Sequence, residues 1–271
     1  MNRFFLYIAL IAYLASTLSF LFYVIRNKNL IEKTAHYLLI LGFICHITAI
    51  VVRFFEAGYT PITNLHESLS FFALCLAGFF IYLKGIYKTG ILGAIVLPAI
   101  SVLVVWSNIL PSEIKPLPPA LNSYWLPIHT FFCFAGNAVF LMSFFISVFY
   151  LIMERSIKQK KIMSIINRMP SLETLDRINY ICISYGFPFL TIGIISGSIW
   201  AKVAWGAYWS WDPKETWSLI TWIVYAILLH NRLAIGWRGK KTAYMMILGF
   251  FSILFTFIGV NFFIGGLHSY L

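Results

Sequence analysis

Apolar residues run along this chain in long unbroken stretches separated by short polar breaks, not in the alternation of a strand or the one-sided stripe of a surface helix. Cutting at the charged or Pro/Gly-rich breaks gives apolar runs near 4–25, 35–54, 68–83, 89–106, 129–153, 182–201, 216–235 and 243–265. Most reach the roughly 20 helical residues that cross about 30 Å of hydrocarbon, where lipid offers the backbone no hydrogen-bond partner. The pattern predicts an all-α, polytopic membrane protein of eight transmembrane helices, a single integral membrane domain over residues 1–271. The third run is short and flanked by Lys84, and Pro98 can kink the fourth, so six or seven spans is the alternative.

Composition agrees. Of 271 residues, 61% are apolar and 11% charged, which excludes an ordinary soluble domain, where about a quarter are charged. Disorder is excluded too, because so much apolar surface has to be buried. The net charge of +11 raises nucleic acid as a partner, but the 20 Lys and Arg lie in short clusters between the apolar runs and form no single patch. The partner this implies is membrane lipid, with no nucleic acid.

Basic residues accumulate in loops retained in the cytoplasm. With the loop after the first helix placed inside, fifteen Lys and Arg face the cytoplasm and five, Arg3, Arg53, Lys115, Lys202 and Lys214, face out. Both termini are therefore expected outside. The first run is expected to be a retained span and not a cleaved signal peptide, since its charges follow the apolar stretch. Residues 154–181 are expected to form a basic cytoplasmic loop, carrying a surface helix broken near Pro170. Residues 107–128, with five prolines, are expected to form a stiff outer loop. Cys45, Cys75, Cys133 and Cys182 are too far apart for a zinc ribbon or a CxxC pair and read as packing residues. Cys133 is one helical turn from His129, close enough to share a ligand.

One segment is unlike the rest. Trp200 to Trp222 reads WAKVAWGAYWSWDPKETWSLITW and holds six of the nine tryptophans. An interfacial aromatic belt spreads over many helix ends and does not need Asp212, Lys214 and Glu215 threaded between its rings. Concentrated indoles beside a Gly and a Pro describe instead a rigid aromatic platform, expected in an external loop over about 202–216. A flat polycyclic ligand would stack there, with Lys214 or a backbone donor meeting a carboxylate. Asp212 and Glu215 read as hydrogen-bonding groups of the loop, because an exposed carboxylate with an ordinary pKa is a poor base at neutral pH.

Ionisable or metal-liganding residues within spans are costly and therefore functional candidates. Six histidines are present. His129 opens the fifth helix and His268 follows the eighth, both on the side of the tryptophan segment. His230 stands 18 residues after Asp212, roughly 27 Å along a helix and so at the cytoplasmic end of the seventh span. His36 and His46 read as interface residues or satisfied core residues. Haem accounts for two outer imidazoles beside an aromatic platform, since its iron takes two axial nitrogens and its faces are apolar.

These residues carry a family resemblance. The stretch WGAYWSWDPKE, Trp205 to Glu215, resembles the tryptophan-rich WWD motif of haem-handling proteins in cytochrome c maturation. The order of PITNLHES (Pro61 to Ser68), His129, the WWD segment, His230 and His268 resembles the CcsA/ResC family of system II cytochrome c biogenesis. The chain departs from it at His66, where members usually carry an aromatic residue. The resemblance implies that haem b is the substrate being transferred, with His129 and His268 as external axial ligands and His230 as a ligand at an inner membrane site. The haem platform would comprise Trp205, Gly206, Tyr208, Trp209, Trp211, Asp212, Pro213, Lys214, Glu215 and Trp217, with Asn64 and Glu67 as support. It further implies holocytochrome c synthase activity together with a ResB-type (CcsB) partner subunit, apocytochrome c CxxCH segments as clients, and no certain catalytic residue in this chain. The location implied is the plasma membrane, or the thylakoid membrane in a plastid, with the WWD loop on the outer or lumenal side. The alternatives are a CcmC-type protein with about six spans that delivers haem to a chaperone, and a transporter of another solute.

Overall fold

The structure, a computed structural model, describes residues 1–87, 90–160 and 170–264, the last four of these without their side chains. The regular structure of the described residues is all helical: α1 (Asn2–Arg26), α2 (Asn29–Ala57), α3 (Leu65–Tyr87), α4 (Gly93–Ile109), α5 (Trp125–Lys158), α6 (Leu172–Trp205), α7 (Pro213–His230) and α8 (Lys240–Leu254). Short 3₁₀ turns precede α4 and α5, and wider π turns extend α7 through Asn231–Ile235 and α8 through Phe255–Ile264. With those extensions, eight helices among the described residues are long and apolar enough to cross a membrane, at mean hydropathies of 1.4 to 2.3. The eight-span reading holds, and α4 continues through Pro98.

Most helices overrun their apolar runs, because caps end a helix and hydrocarbon does not. The 34 residues each of α5 and α6 rise about 51 Å, well beyond a bilayer core. The basic segment 154–181 is consequently divided. Its first residues complete α5, where Lys158 bonds Glu154 at 2.7 Å, and its last ten belong to α6. Between them Pro170 precedes the Ser171 cap, whose hydroxyl accepts from Thr174 N at 3.1 Å; the middle of the segment, 161–169, lies outside the described residues.

The helices form two compact units. The first is built on α1–α4. Its buried polar side chains are satisfied across helices: His46 bonds Ser70 Oγ at 2.9 Å and lies 3.4 Å from the Tyr13 hydroxyl, and Thr17 meets Ser101 at 3.0 Å. His46 is thus the satisfied core residue its context suggested. His66 is buried as well, donating from Nδ1 to the Ser107 carbonyl at 2.7 Å while the Ser107 hydroxyl donates to the His66 carbonyl at 2.8 Å. The two bonds form an interhelical lock between α3 and α4. Asn64 Oδ1 caps α3 by accepting from Glu67 N at 2.9 Å, and Glu67 pairs with Arg53 at 2.7 Å.

The second unit is built on α5–α8, with the long α5–α6 pair as its spine. Between two helices in lipid, close packing and hydrogen bonds replace the hydrophobic drive. Ser143 donates to Asn179 Oδ1 at 2.8 Å and Asn179 Nδ2 donates to Ser147 at 3.0 Å, a polar ladder in the seam. Around it lie Phe140 and Tyr225, stacked 3.6 Å apart at 9°, and Phe144 against Phe250 at 4.5 Å. This spine brings the start of α5, the end of α6 and the start of α7 to one end of the unit.

Candidate functional site

At that end the tryptophan-rich segment is two helix termini joined by a tight connection. Trp200 and Trp205 ride the last turns of α6, and Trp217 the first turns of α7. Only 206–212 is non-helical. Gly206 turns the chain at φ 83°, a conformation that costs a side-chain-bearing residue but not glycine, and its N–H closes α6 onto the Lys202 carbonyl at 3.1 Å. Lys202 Nζ donates to the Gly206 carbonyl at 2.8 Å and Ser198 to the Tyr208 carbonyl at 2.8 Å, tying the connection back to α6.

On the other side the sequence DPKE writes a helix start. Asp212 is the N-cap with Pro213 at the first helical position; Asp212 Oδ1 accepts from Lys214 N at 3.0 Å. The Glu215 carboxylate returns to Asp212 N at 3.2 Å and Ser210 N at 2.8 Å. Both acids are thus bound up in a capping box, the structural role expected of them. This box holds Trp211 at φ 58°, with its indole 70% exposed beside Tyr208 at 58%. Trp209 meets Trp211 edge to face at 5.8 Å and 88°. Trp217 packs on Phe255 at 4.1 Å.

His129, in the second turn of α5, stands against the end of α6. Its Nδ1 lies 2.7 Å from the Gly193 carbonyl, an acceptor, so Nδ1 carries the proton and Nε2 keeps the lone pair. Among the described residues nothing hydrogen-bonds to Nε2. The ring stacks on Trp200, centroids 5.8 Å apart and planes at 19°. Trp200 in turn meets Trp205 edge to face at 4.9 Å and bonds Ala120 O at 3.0 Å, anchoring the proline-rich segment. Cys133 Sγ is 3.6 Å from Nδ1. The thiol therefore sits on the protonated side of the imidazole, away from the nitrogen that can take a metal.

The structure thus joins His129, through Trp200, to Trp205 at the start of the tryptophan-rich connection. Sequence reading missed Trp200 as the stacking partner, and Gly193 and Gly197 as the ring's seat; the G-x-x-x-G spacing of the two glycines was the available signal. It also missed Ser198 and Ser210 as fasteners of the connection. His268 lies outside the described residues. Asn64 and Glu67 brace α3 within the first unit.

His230 is at the opposite end of α7, 17 residues from Pro213 and so roughly 25 Å away. It is exposed, on the helix face that carries Ile220, Ile223 and Ile227. The turn beyond it is clamped: Arg232 makes a two-pronged pair with Asp176 at 3.0 and 2.7 Å, Asp176 Oδ1 also accepts from Gly239 N at 2.7 Å, and the guanidinium lies 4.9 Å over the Tyr180 ring. A fixed platform is thereby supplied for the histidine two residues earlier.

Fold and site together define a multi-pass helical membrane protein in which His129 stacks at the end of α6 against a tryptophan-rich segment. The description "Cytochrome C assembly protein" matches residues 62–268, and the chain belongs to that family. It is similar to the cytochrome c biogenesis protein CcsA of Trieres chinensis, 39% identical over 249 residues that cover 80% of each chain. The CcsA of Guillardia theta is 41% identical over 239 residues, covering 80% of this chain and 79% of that one. Among solved structures, the cytochrome c haem lyase CcmF aligns at a TM-score of 0.67 and 16% identity, covering 95% of this chain and 46% of the other. That likeness is one of fold, and the chain spans just under half of CcmF. The protein is a membrane component of cytochrome c biogenesis.

Proposed function

We propose that this chain is the haem-handling subunit of a cytochrome c synthase, and that it presents haem at the α5–α6–α7 end of its second unit for attachment to apocytochrome c. One observation carries the reading: His129 is held with Nδ1 on a carbonyl and Nε2 in the lone-pair form an iron needs, its ring stacked on the buried Trp200 at the base of the segment that exposes Trp211, an aromatic surface suited to a porphyrin. The residues fit haem in a second respect. The Trp209 Nε1 is buried with no hydrogen bond among the described residues, a donor available to a polar edge of a ligand.

In this reading His129 and His268 are the two outer axial ligands and the platform supports the macrocycle edge-on. His230 is a ligand at an inner site, which haem b meets first, and its exposure on a membrane-facing helix calls for a partner. A ResB-type subunit is the proposed source of the second inner ligand. The proposed orientation has the tryptophan segment and both termini outside or lumenal. Eight helices and CcsA relatives favour this over a CcmC-type protein of about six spans.

The reaction needs no redox change. Each client cysteine thiol adds across a haem vinyl group: sulfur bonds to the carbon next to the ring, and the thiol proton ends on the terminal carbon. The chain's contribution is to fix haem so that vinyl carbons and thiols meet in attack geometry, and to yield one axial position to the client histidine. Asp212 and Glu215 shape the platform and transfer no proton.

Expression with a ResB-type partner and a CxxCH client, in a host whose own maturation system has been deleted, tests this. The expected result is client carrying haem that survives denaturation, lost when His129 is replaced by Gly. Client maturation independent of this chain would overturn the reading.

A further inference from the structure

The seat of the His129 imidazole is a helix face with two side chains missing. Gly193 and Gly197 are one turn apart on α6. A Cβ on Gly197 would lie 2.5 Å from His129 Nδ1 and 2.6 Å from Cε1, and one on Gly193 would lie 2.7 Å from Cys133 Sγ. Neither distance is tolerable between unbonded atoms, so any side chain at 197 must drive the ring off α6. Glycine in a helix interior lowers helix stability, and at both positions α5 lies so close that the Cβ of an alanine would not fit. The ring that fills the space is not a greasy filler, for its Nδ1 reaches the Gly193 carbonyl at 2.7 Å and its face lies on Trp200 at 19°.

We propose that Gly197 is a positioning residue for the haem ligand: its missing side chain lets the His129 imidazole lie flat against α6, where the Gly193 carbonyl fixes the proton on Nδ1 and Trp200 fixes the ring plane, leaving Nε2 aimed for iron. This rests on the reading of His129 as an outer ligand. A side chain at 197 breaks the hydrogen bond and the stack together, so the imidazole loses both its tautomer and its orientation. Outer partners of this kind change metal affinity by about 10–100-fold.

Gly186 supplies the comparison. It belongs to the same helix and the same α5 seam, and a Cβ there would lie 2.6 Å from Phe140 Cε1, a clash equal in size that involves no ligand. In the complex with its partner subunit, Gly197→Ala is expected to lower client maturation about tenfold or more and to shift the bound haem away from the two-imidazole spectrum. Added imidazole should return both. Gly186→Ala should instead lower protein yield and show no response to imidazole.

The double variant His129→Gly with Gly197→Ala removes the ring that the new methyl would strike. It should accumulate like His129→Gly alone and answer to imidazole equally, so the proposal stays testable even where Gly197→Ala folds poorly. An unchanged spectrum in Gly197→Ala overturns the proposal, as does a defect in Gly197→Ala that imidazole does not relieve, or a double variant that accumulates less or answers to imidazole less than His129→Gly alone. If His129→Gly itself keeps the full spectrum and full maturation, the ligand reading underneath has failed, which is a different result.

Discussion

The Arg53 guanidinium, near the end of α2, meets the Glu67 carboxylate in the first turn of α3 at 2.7 Å, with both side chains almost wholly buried. Arg53 also donates to the Ser112 carbonyl at 3.1 Å, and Glu67 accepts from Thr63 N at 2.8 Å. One ion pair thus ties together α2, the PITNLHES turn and the segment after α4. Removing one partner strands the other charge out of water, which costs about 3–5 kcal/mol, whereas replacing both is far milder. Glu67→Ala and Arg53→Ala should each lower the melting temperature of the purified protein sharply. The pair Arg53→Met with Glu67→Met should melt closer to the unsubstituted chain.

Glu215 is expected to act through the backbone. Its carboxylate holds the amides of Ser210 and Asp212, so Glu215→Ala should cost about 1 kcal/mol of local stability. Faster hydrogen exchange at those two amides would register the loss. Glu215→Gln keeps an oxygen acceptor in the same place and should preserve most of the platform. Equal loss of client maturation in both variants, with exchange unchanged, would instead point to a proton-transfer role for the carboxylate.

The eight spans were legible along the chain, because hydrophobic length reports directly on a bilayer's requirement. The structural role of Asp212 and Glu215 was read only from the weakness of a carboxylate as a base at neutral pH, and the helix start written in DPKE went unread. Helix ends were less legible: α6 begins ten residues before its apolar run, set by the Ser171 cap and not by lipid. The seat of His129 left only the G-x-x-x-G spacing of Gly193 and Gly197 as a trace, since Nδ1 finds its acceptor 64 positions away and no local pattern names the ring that packs there. Arg53 read as one of five outward charges, and its partner Glu67 as a surface brace, for the same reason.

The Asp176–Arg232 clamp should matter to the inner site and not the outer one. Asp176→Asn weakens the two-pronged pair and the acceptor for Gly239 N, loosening the turn that follows His230. Haem content of the purified complex should fall as it does in His230→Gly, while imidazole should fail to restore it in Asp176→Asn. Unchanged haem content in Asp176→Asn would show that the end of α7 holds its histidine without the clamp.

Orientation has its own test. Ser210 is exposed in the connection between α6 and α7, so Ser210→Cys, in a chain whose four native cysteines are replaced by alanine, should react with a membrane-impermeant maleimide added from outside. Labelling only after permeabilisation would reverse the topology that fifteen inner against five outer basic residues imply.

The central claim is that His129 gives Nε2 to haem iron, and the absorption spectrum of the complex purified with its partner reads it most directly. The account predicts a six-coordinate, low-spin spectrum of two-imidazole type, replaced in His129→Gly by one with an open axial position and restored when imidazole is added. A complex that carries no haem, or whose spectrum is the same with and without the His129 side chain, would contradict it.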